Sequence, residues 1–310
     1  MRPVILATTI AAIIFSSAAI AQQPSQATAS MPDFSGIWTR PYLGPDQPVP
    51  SPGPVRGRPG NPGRIVGDYS NPILKPEAAE AVKKQGEIES SGVIAPNPHS
   101  RCWPVTVPLL YLGTNMLLQM LQQPHQITFL YDEDYVVRRV RMNESHPPQV
   151  IPSWYGDSVG HYEGDTLIVD TVGVKVSPSS VLDRFGTPYT KALHVVERFR
   201  LIDYEAAKKA QELTLRTTGR PLDELPATRT PSRPPLLLGV GLPVDPDYKG
   251  NGLQLQITVE DEGVFTMPWS ATVTYRRAWG EWPEVICAEN IHEYYAGKDN
   301  AVPRADKPDF

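Results

Sequence analysis

The chain has 310 residues and a formal net charge of −5, with both signs mixed along it. There is no basic stripe of the kind nucleic acid requires, and no segment beyond the N-terminal leader has the length of a membrane-spanning helix. Its 34 prolines argue against long helices and for extended segments joined by turns.

Residues 1–21 read as an export leader. Arg2 supplies the positive start, Ile10, Ile13, Ile14 and Phe15 the apolar stretch, and Ala19-Ile20-Ala21 a small-x-small cleavage site. Cleavage after Ala21 would leave a periplasmic or secreted protein, the alternative being an uncleaved amphipathic anchor. Residues 22–31 are small and polar, as in a disordered tail. Residues 32–310 read as a single antiparallel β domain.

The first strand is expected within 34–39, followed by an irregular Pro/Gly-rich stretch over 41–63. One short helix is predicted over 76–85, with Pro76 at its start, acids in its first turn and lysines near its end. Strands follow over 116–121, 126–131 and 135–142. Segments 158–162 and 166–172 flank Glu163-Gly164-Asp165, a hairpin signature. A long strand over 192–202 and a shorter one over 212–217 come next. A Pro-rich excursion over 218–250 then interrupts the rhythm. Strands over 253–260, 271–277 and 284–289 complete the series. Many strands with short turns point to an all-β fold, an antiparallel barrel or sandwich with Pro-rich loops. In 252–261, Leu253, Leu255, Ile257 and Val259 alternate with Gln254, Gln256, Thr258 and Glu260, so one face is apolar. The polar face either meets water or lines a wet barrel cavity.

The two cysteines, Cys102 and Cys287, are expected to form a disulfide in an oxidising compartment. That bridge would close most of the mature chain, worth about 4–5 kcal/mol in the chain-entropy model; the alternative is two separately buried thiols. Neither has a partner at zinc-finger spacing, and no spacing of His and carboxylates proposes a metal. Phosphate-binding, dinucleotide and nucleophile-elbow motifs are absent too, so the expected chemistry uses no cofactor.

Trp154-Tyr155-Gly156-Asp157-Ser158-Val159-Gly160-His161-Tyr162-Glu163-Gly164-Asp165-Thr166-Leu167-Ile168-Val169-Asp170-Thr171 resembles the signature W-x-G-D-S-x-G-x-W-E-G-D-T-L-V-V-D-T of a large family of uncharacterised bacterial secreted proteins. Leu193 to Phe199, Thr258 to Asp261, Pro268-Trp269 and Cys287-Ala288-Glu289-Asn290 are similar to further blocks of that family. Tyr162 departs from the usual Trp. The resemblance implies no activity. Gly36-Ile37-Trp38 is similar to the Gly-x-Trp opening of lipocalin-like barrels, where the Trp closes the barrel floor. That likeness favours a lipocalin-like barrel over a sandwich.

The densest polar segment holds Asp157, His161, Glu163, Asp165 and Asp170. An imidazole beside carboxylates is the usual equipment for proton transfer near neutral pH. The competing reading makes Glu163 and Asp165 turn residues chosen for local hydrogen bonds. His194 and Arg198 lie four apart on one strand face with Glu197 on the other; ion pairing is the structural alternative for Glu197 and Arg198. The expected acid–base groups are therefore His161 and His194, oriented by Asp157, with Arg198 as an anion holder and Glu260 as a second carboxylate. Trp154, His146 and Tyr162 are candidate ligand contacts. Three functions fit: a lyase, isomerase or hydrolase acting on a small organic or sugar-like molecule, a non-catalytic binding protein for a small amphipathic ligand, or an envelope structural or interaction module, for which Leu236-Leu237-Leu238 is the candidate apolar patch.

Overall fold

The computed structural model describes residues 31–58, 66–93, 95–98, 103–113, 116–132, 136–218 and 242–283. The segment expected as a leader, both cysteines with their expected disulfide, the segment expected as a strand over 284–289 and most of the 218–250 excursion lie outside them. The described strands are β1 (Ile37–Thr39), β2 (Leu118–Gln122), β3 (Gln126–Tyr131), β4 (Val137–Met142), β5 (Asp157–Glu163), β6 (Thr166–Val172), β7 (His194–Ile202), β8 (Gly252–Glu260) and β9 (Trp269–Arg277). They close into one barrel in sequence order, β9 pairing back onto β1.

All neighbours are antiparallel except β4 and β5, whose contact is parallel and short. Only Arg141 opposite Val159 and Met142 opposite Gly160 register there. The chain leaves β4 at Asn143 and must run back along the sheet before β5 begins, so residues 143–156 form a crossover outside the hairpin pattern. A Cβ on Gly160 would meet the Val140 side chain at 2.8 Å and the Ile168 carbonyl at 3.0 Å, which is why this seam carries a glycine.

Alternation decides which face is inside. Leu253, Leu255, Ile257 and Val259 are fully buried, and Gln254, Gln256, Thr258 and Glu260 turn outward. The polar face of β8 is therefore exterior. The interior holds Phe129, Tyr131, Phe199 and Tyr275, with Tyr111 reaching in from α2 (Leu109–Leu112). Burying each such ring contributes roughly 1.5–3 kcal/mol. Trp38 is buried, its indole N–H donating to the Phe34 carbonyl at 2.9 Å and the Arg277 guanidinium stacked 4.5 Å from its ring. Gly36 has φ 110°, a left-handed conformation, and Arg277 occupies the space where its Cβ would stand. The Gly-x-Trp spacing thus seats an arginine over the indole.

Helix α1 (Pro76–Ser90) is longer than the predicted 76–85 and buries Ala78, Val82 and Gly86 along one stripe. The strand expected over 212–217 is instead the end of α3 (Tyr204–Thr218). Asp203 starts it by accepting the Ala206 N–H at 2.9 Å. Ala207, Gln211, Thr214 and Leu215 are buried, a period near 3.6 that overrides the local alternation of Leu213 and Leu215. Among the described residues no helix is long and apolar enough to cross a membrane.

Inside the barrel lies a charged pair drawn from strands far apart in the sequence. Arg138 of β4 and Glu197 of β7 are both buried and meet in a fork, Nη1 to Oε1 at 2.8 Å and Nη2 to Oε2. Tyr111 donates to Glu197 at 2.6 Å and its hydroxyl lies 2.7 Å from that of Tyr131. Arg138 also donates to Ser158 at 3.2 Å and to Thr171 at 2.6 Å. Burial works against the charge on Arg138, but Glu197 outweighs it and raises the guanidinium pKa further.

Removing one partner strands the other charge in the core. Glu197→Ala is expected to cost about 3–5 kcal/mol in urea unfolding, whereas the double change Arg138→Met with Glu197→Leu should cost clearly less. Equal losses in the two proteins would mean that charge pairing is not what this site supplies.

Candidate functional site

On the outer face of β4 to β8, charged side chains of alternating sign run across the sheet. Arg141 donates to Glu144 at 2.8 Å and holds Asp157 in a fork at 2.5 and 3.1 Å. His146, from the crossover, places Nδ1 2.6 Å from Asp157 and Nε2 2.9 Å from Asp170. Asp170 also meets His194 Nε2 at 3.0 Å, and His194 Nδ1 faces Glu260 at 3.5 Å.

Strand register explains the placement. The β5–β6 turn has positive φ at Gly164 (62°) and not at Asp165, the pattern of a type II′ hairpin. It pairs Glu163 with Thr166 and therefore Val159 with Asp170. Asp157, two residues from Val159, shares the outer face with Asp170. His194 pairs directly with Glu260 across β7 and β8. Each neutral imidazole tautomer carries one N–H, so only the doubly protonated His146 ring can donate to Asp157 and Asp170 together.

The electrostatics follow the contacts. The Arg141 hydrogen bonds hold the Asp157 carboxyl below its usual range against a smaller opposing effect of burial, and His146 adds to them. For Asp170, burial pushes upward, but the hydrogen bonds from His194 and His146 together outweigh it and the pKa is lowered. The hydrogen bond to Asp170 raises the His194 pKa, burial opposing and Glu260 assisting.

The Glu260 end of this chain opens onto a groove of about 440 Å³, whose lining includes His194 and Glu260 together with the apolar Phe265, Met267 and Pro268. Asp261 also borders it but is engaged with the Thr190 N–H at 2.6 Å, the Thr190 hydroxyl at 2.7 Å and the Gly263 N–H at 2.9 Å. His194, one-third exposed, and Glu260, half exposed, are the titratable groups of the network that face this space. Comparison with protein-family models, curated proteins and solved structures finds no match.

The other expected residues are placed as follows. His161 and Glu163 share a face, with Nε2 3.1 Å from Oε1, but the pair is exposed at the hairpin end of β5. Four residues separate His161 from Asp157, about 13 Å along a strand, so Asp157 orients His146 and not His161. Arg198 lies on the outer face of β7 between Ile168 and Gln256, with no ion pair among the described residues. Trp154 leans on Trp103, ring centroids 5.7 Å apart, and carries the Lys175 ammonium 4.7 Å from its ring. Tyr162 accepts a hydrogen bond from Gln122 at 3.0 Å. Asp170, part of the dense polar segment, and Arg141, which carries no local signal, complete the network. Among the described residues no cluster of His, Cys, Asp or Glu is arranged to hold a metal ion.

Sign and window follow from these shifts. The lowered carboxylates stabilise the fold above about pH 3.9 and lose that contribution as pH falls through their folded values. The raised His194 stabilises fully below about pH 6.5 and loses it as pH rises through its higher folded value. Asp170→Asn should therefore cost about 1 kcal/mol between about pH 4 and pH 6.5, shrinking above neutrality. Thermal unfolding across that range reads it, and a deficit independent of pH would show that Asp170 acts by packing alone.

Proposed function

We propose that the protein is a cofactor-independent acid–base enzyme, of lyase, isomerase or hydrolase type, working at the groove bounded by His194 and Glu260. One observation carries the reading: an imidazole held on one nitrogen by a carboxylate has its other nitrogen beside a second carboxylate, and both residues border an open groove. This is the base–orienter arrangement used in proton transfer. Asp170 fixes the ring through Nε2 and favours its protonated form, so His194 starts as the acid. Glu260, half exposed, starts as the base.

In one cycle Glu260 takes a proton from a substrate carbon or a water, and His194 gives its Nδ1 proton to a developing oxyanion or leaving oxygen. The proton then returns from Glu260 to His194 across the 3.5 Å between them. After donation the neutral ring keeps Nε2–H toward Asp170, so the orienting bond survives the turnover. The apolar wall of Phe265, Met267 and Pro268 suits a small organic or sugar-like molecule with an apolar face. Arg198 retains an anion-holding role only for a substrate long enough to run along β7. The leader over 1–21 supports placing this chemistry outside the cytoplasm.

A second reading, a non-catalytic lipocalin-like carrier, draws on the closed barrel and on the Gly36-Ile37-Trp38 floor beneath Arg277. Against it, lipocalin barrels have eight strands, and aromatic rings and a charged pair occupy the interior here.

The test is a turnover screen of neutral sugars, hydroxy acids and small esters, followed by variants on any hit. His194→Gln and Glu260→Gln should each lower kcat by about 10²–10⁴-fold, while His161→Ala leaves it within twofold. Loss of activity in His161→Ala with His194→Gln unaffected would move the site to the other end of β5.

A further inference from the structure

A second cavity, sharing no residue with the groove, lies beneath the proline-rich stretch that follows β1. It has a volume of about 370 Å³ and an apolar lining that includes Leu43, Pro45, Val55, Leu112 and Phe185. Ligand pockets run upward from roughly 300 Å³, so this one fits a small molecule and not a large cofactor. Leu112 sits on α2, whose Tyr111 reaches the barrel interior. The cavity floor is thus continuous with the core.

Its charged lining is uneven. Asp183 is buried and accepts the backbone N–H groups of Phe185 at 2.8 Å and Thr187 at 3.3 Å; burial also pushes its pKa up. Asp68 accepts from the Ser70 N–H at 3.1 Å and the Ser70 hydroxyl at 2.5 Å. Arg184 lies with its guanidinium 5.4 Å from the Phe185 ring. That leaves Arg56, whose guanidinium makes no hydrogen bond or ion pair with the described residues. It borders both this cavity and a smaller one of about 110 Å³. Both carboxylates are satisfied by local donors, while Arg56, exposed to solvent, borders the ligand space as a planar fork donor.

We infer that this cavity is a binding site for a small amphipathic carboxylate, its apolar body against Val55, Leu112 and Phe185 and its carboxylate on Arg56. Guanidinium and carboxylate match in a fork of two parallel hydrogen bonds, and a neutral or cationic head group would leave Arg56 unpaired. The site is independent of the acid–base reading, since neither His194 nor Glu260 lines it.

Calorimetric titration of the full chain with octanoate, 1-octanol and octylamine tests the assignment. Octanoate should bind at least tenfold more tightly than either of the others. Arg56→Gln should remove that preference while leaving 1-octanol binding unchanged. Thr217→Trp, which places a large ring at the exposed helical rim of the cavity, should abolish binding of all three without disturbing the core. Octanoate binding no better than 1-octanol, or unaltered in Arg56→Gln, overturns the proposal. So does full binding in Thr217→Trp.

Discussion

The buried fork between Arg138 and Glu197 is the interaction on which the barrel's geometry turns. Taking two charges out of water costs several kcal/mol per ion, and the site offsets that only because every strand from β3 to β7 delivers a group to it. Tyr131 comes from β3, Arg138 from β4, Ser158 from β5, Thr171 from β6 and Glu197 from β7, with Tyr111 arriving from α2. A one-residue slip of any of these strands would turn its contributing side chain to the outer face. A buried ion pair is weak evidence for stability in itself. Here it acts on register, because each alternative pairing leaves a charge or a hydroxyl unsatisfied in the core.

That constraint matters at a seam where the backbone supplies little. Among the described barrel strands the β4–β5 seam is the one parallel pairing, and it registers only two residue pairs. It is stitched from both sides. Inside, Arg138 reaches across to Ser158 on β5 and Thr171 on β6. Outside, Arg141 grips Asp157 while His146 ties the crossover down onto Asp157 and Asp170. The outer half of this stitching is exposed to solvent and correspondingly screened. The inner half is not, so the core pair carries more of the closure than the surface charges do.

Much of the barrel was legible in the residues because it rests on local signals. Short β-type runs bounded by turn signals marked β3, β6 and β8 almost to the residue, alternation in β8 marked its apolar face, and Glu163-Gly164-Asp165 marked the hairpin. The same turn contains the register that sets Asp170 opposite Val159, so the shared face of Asp157 and Asp170 could have been counted out beforehand. Glu197 also carried a signal, a carboxylate between Val195 and Phe199 on the apolar face, which requires a buried partner. The identity of that partner did not, since Arg138 sits in a run where Val137, Val140 and Met142 support either face. The parallel seam has no local signature, because it depends on the path of 143–156, and with it went Arg141 and the dual role of His146. Helix α3 was lost to a short alternating run inside a longer helical period.

Asp170 joins the two halves of the outer network, and this limits how its parts can be separated. On one side it shares His146 with Asp157 and so helps to hold the crossover over the seam. On the other it orients His194 toward the groove. A change in the charge of His194 alters how strongly Asp170 accepts from His146, since one carboxylate serves both rings. Any proton that enters at the groove is thus felt, through a single side chain, at the short parallel pairing of the barrel. The coupling is bounded by the core pair, whose contacts to Ser158 and Thr171 keep β5 and β6 in place whatever the surface histidines do. The arrangement can tolerate a titrating, solvent-exposed network on its outer face because closure of the seam is secured from within.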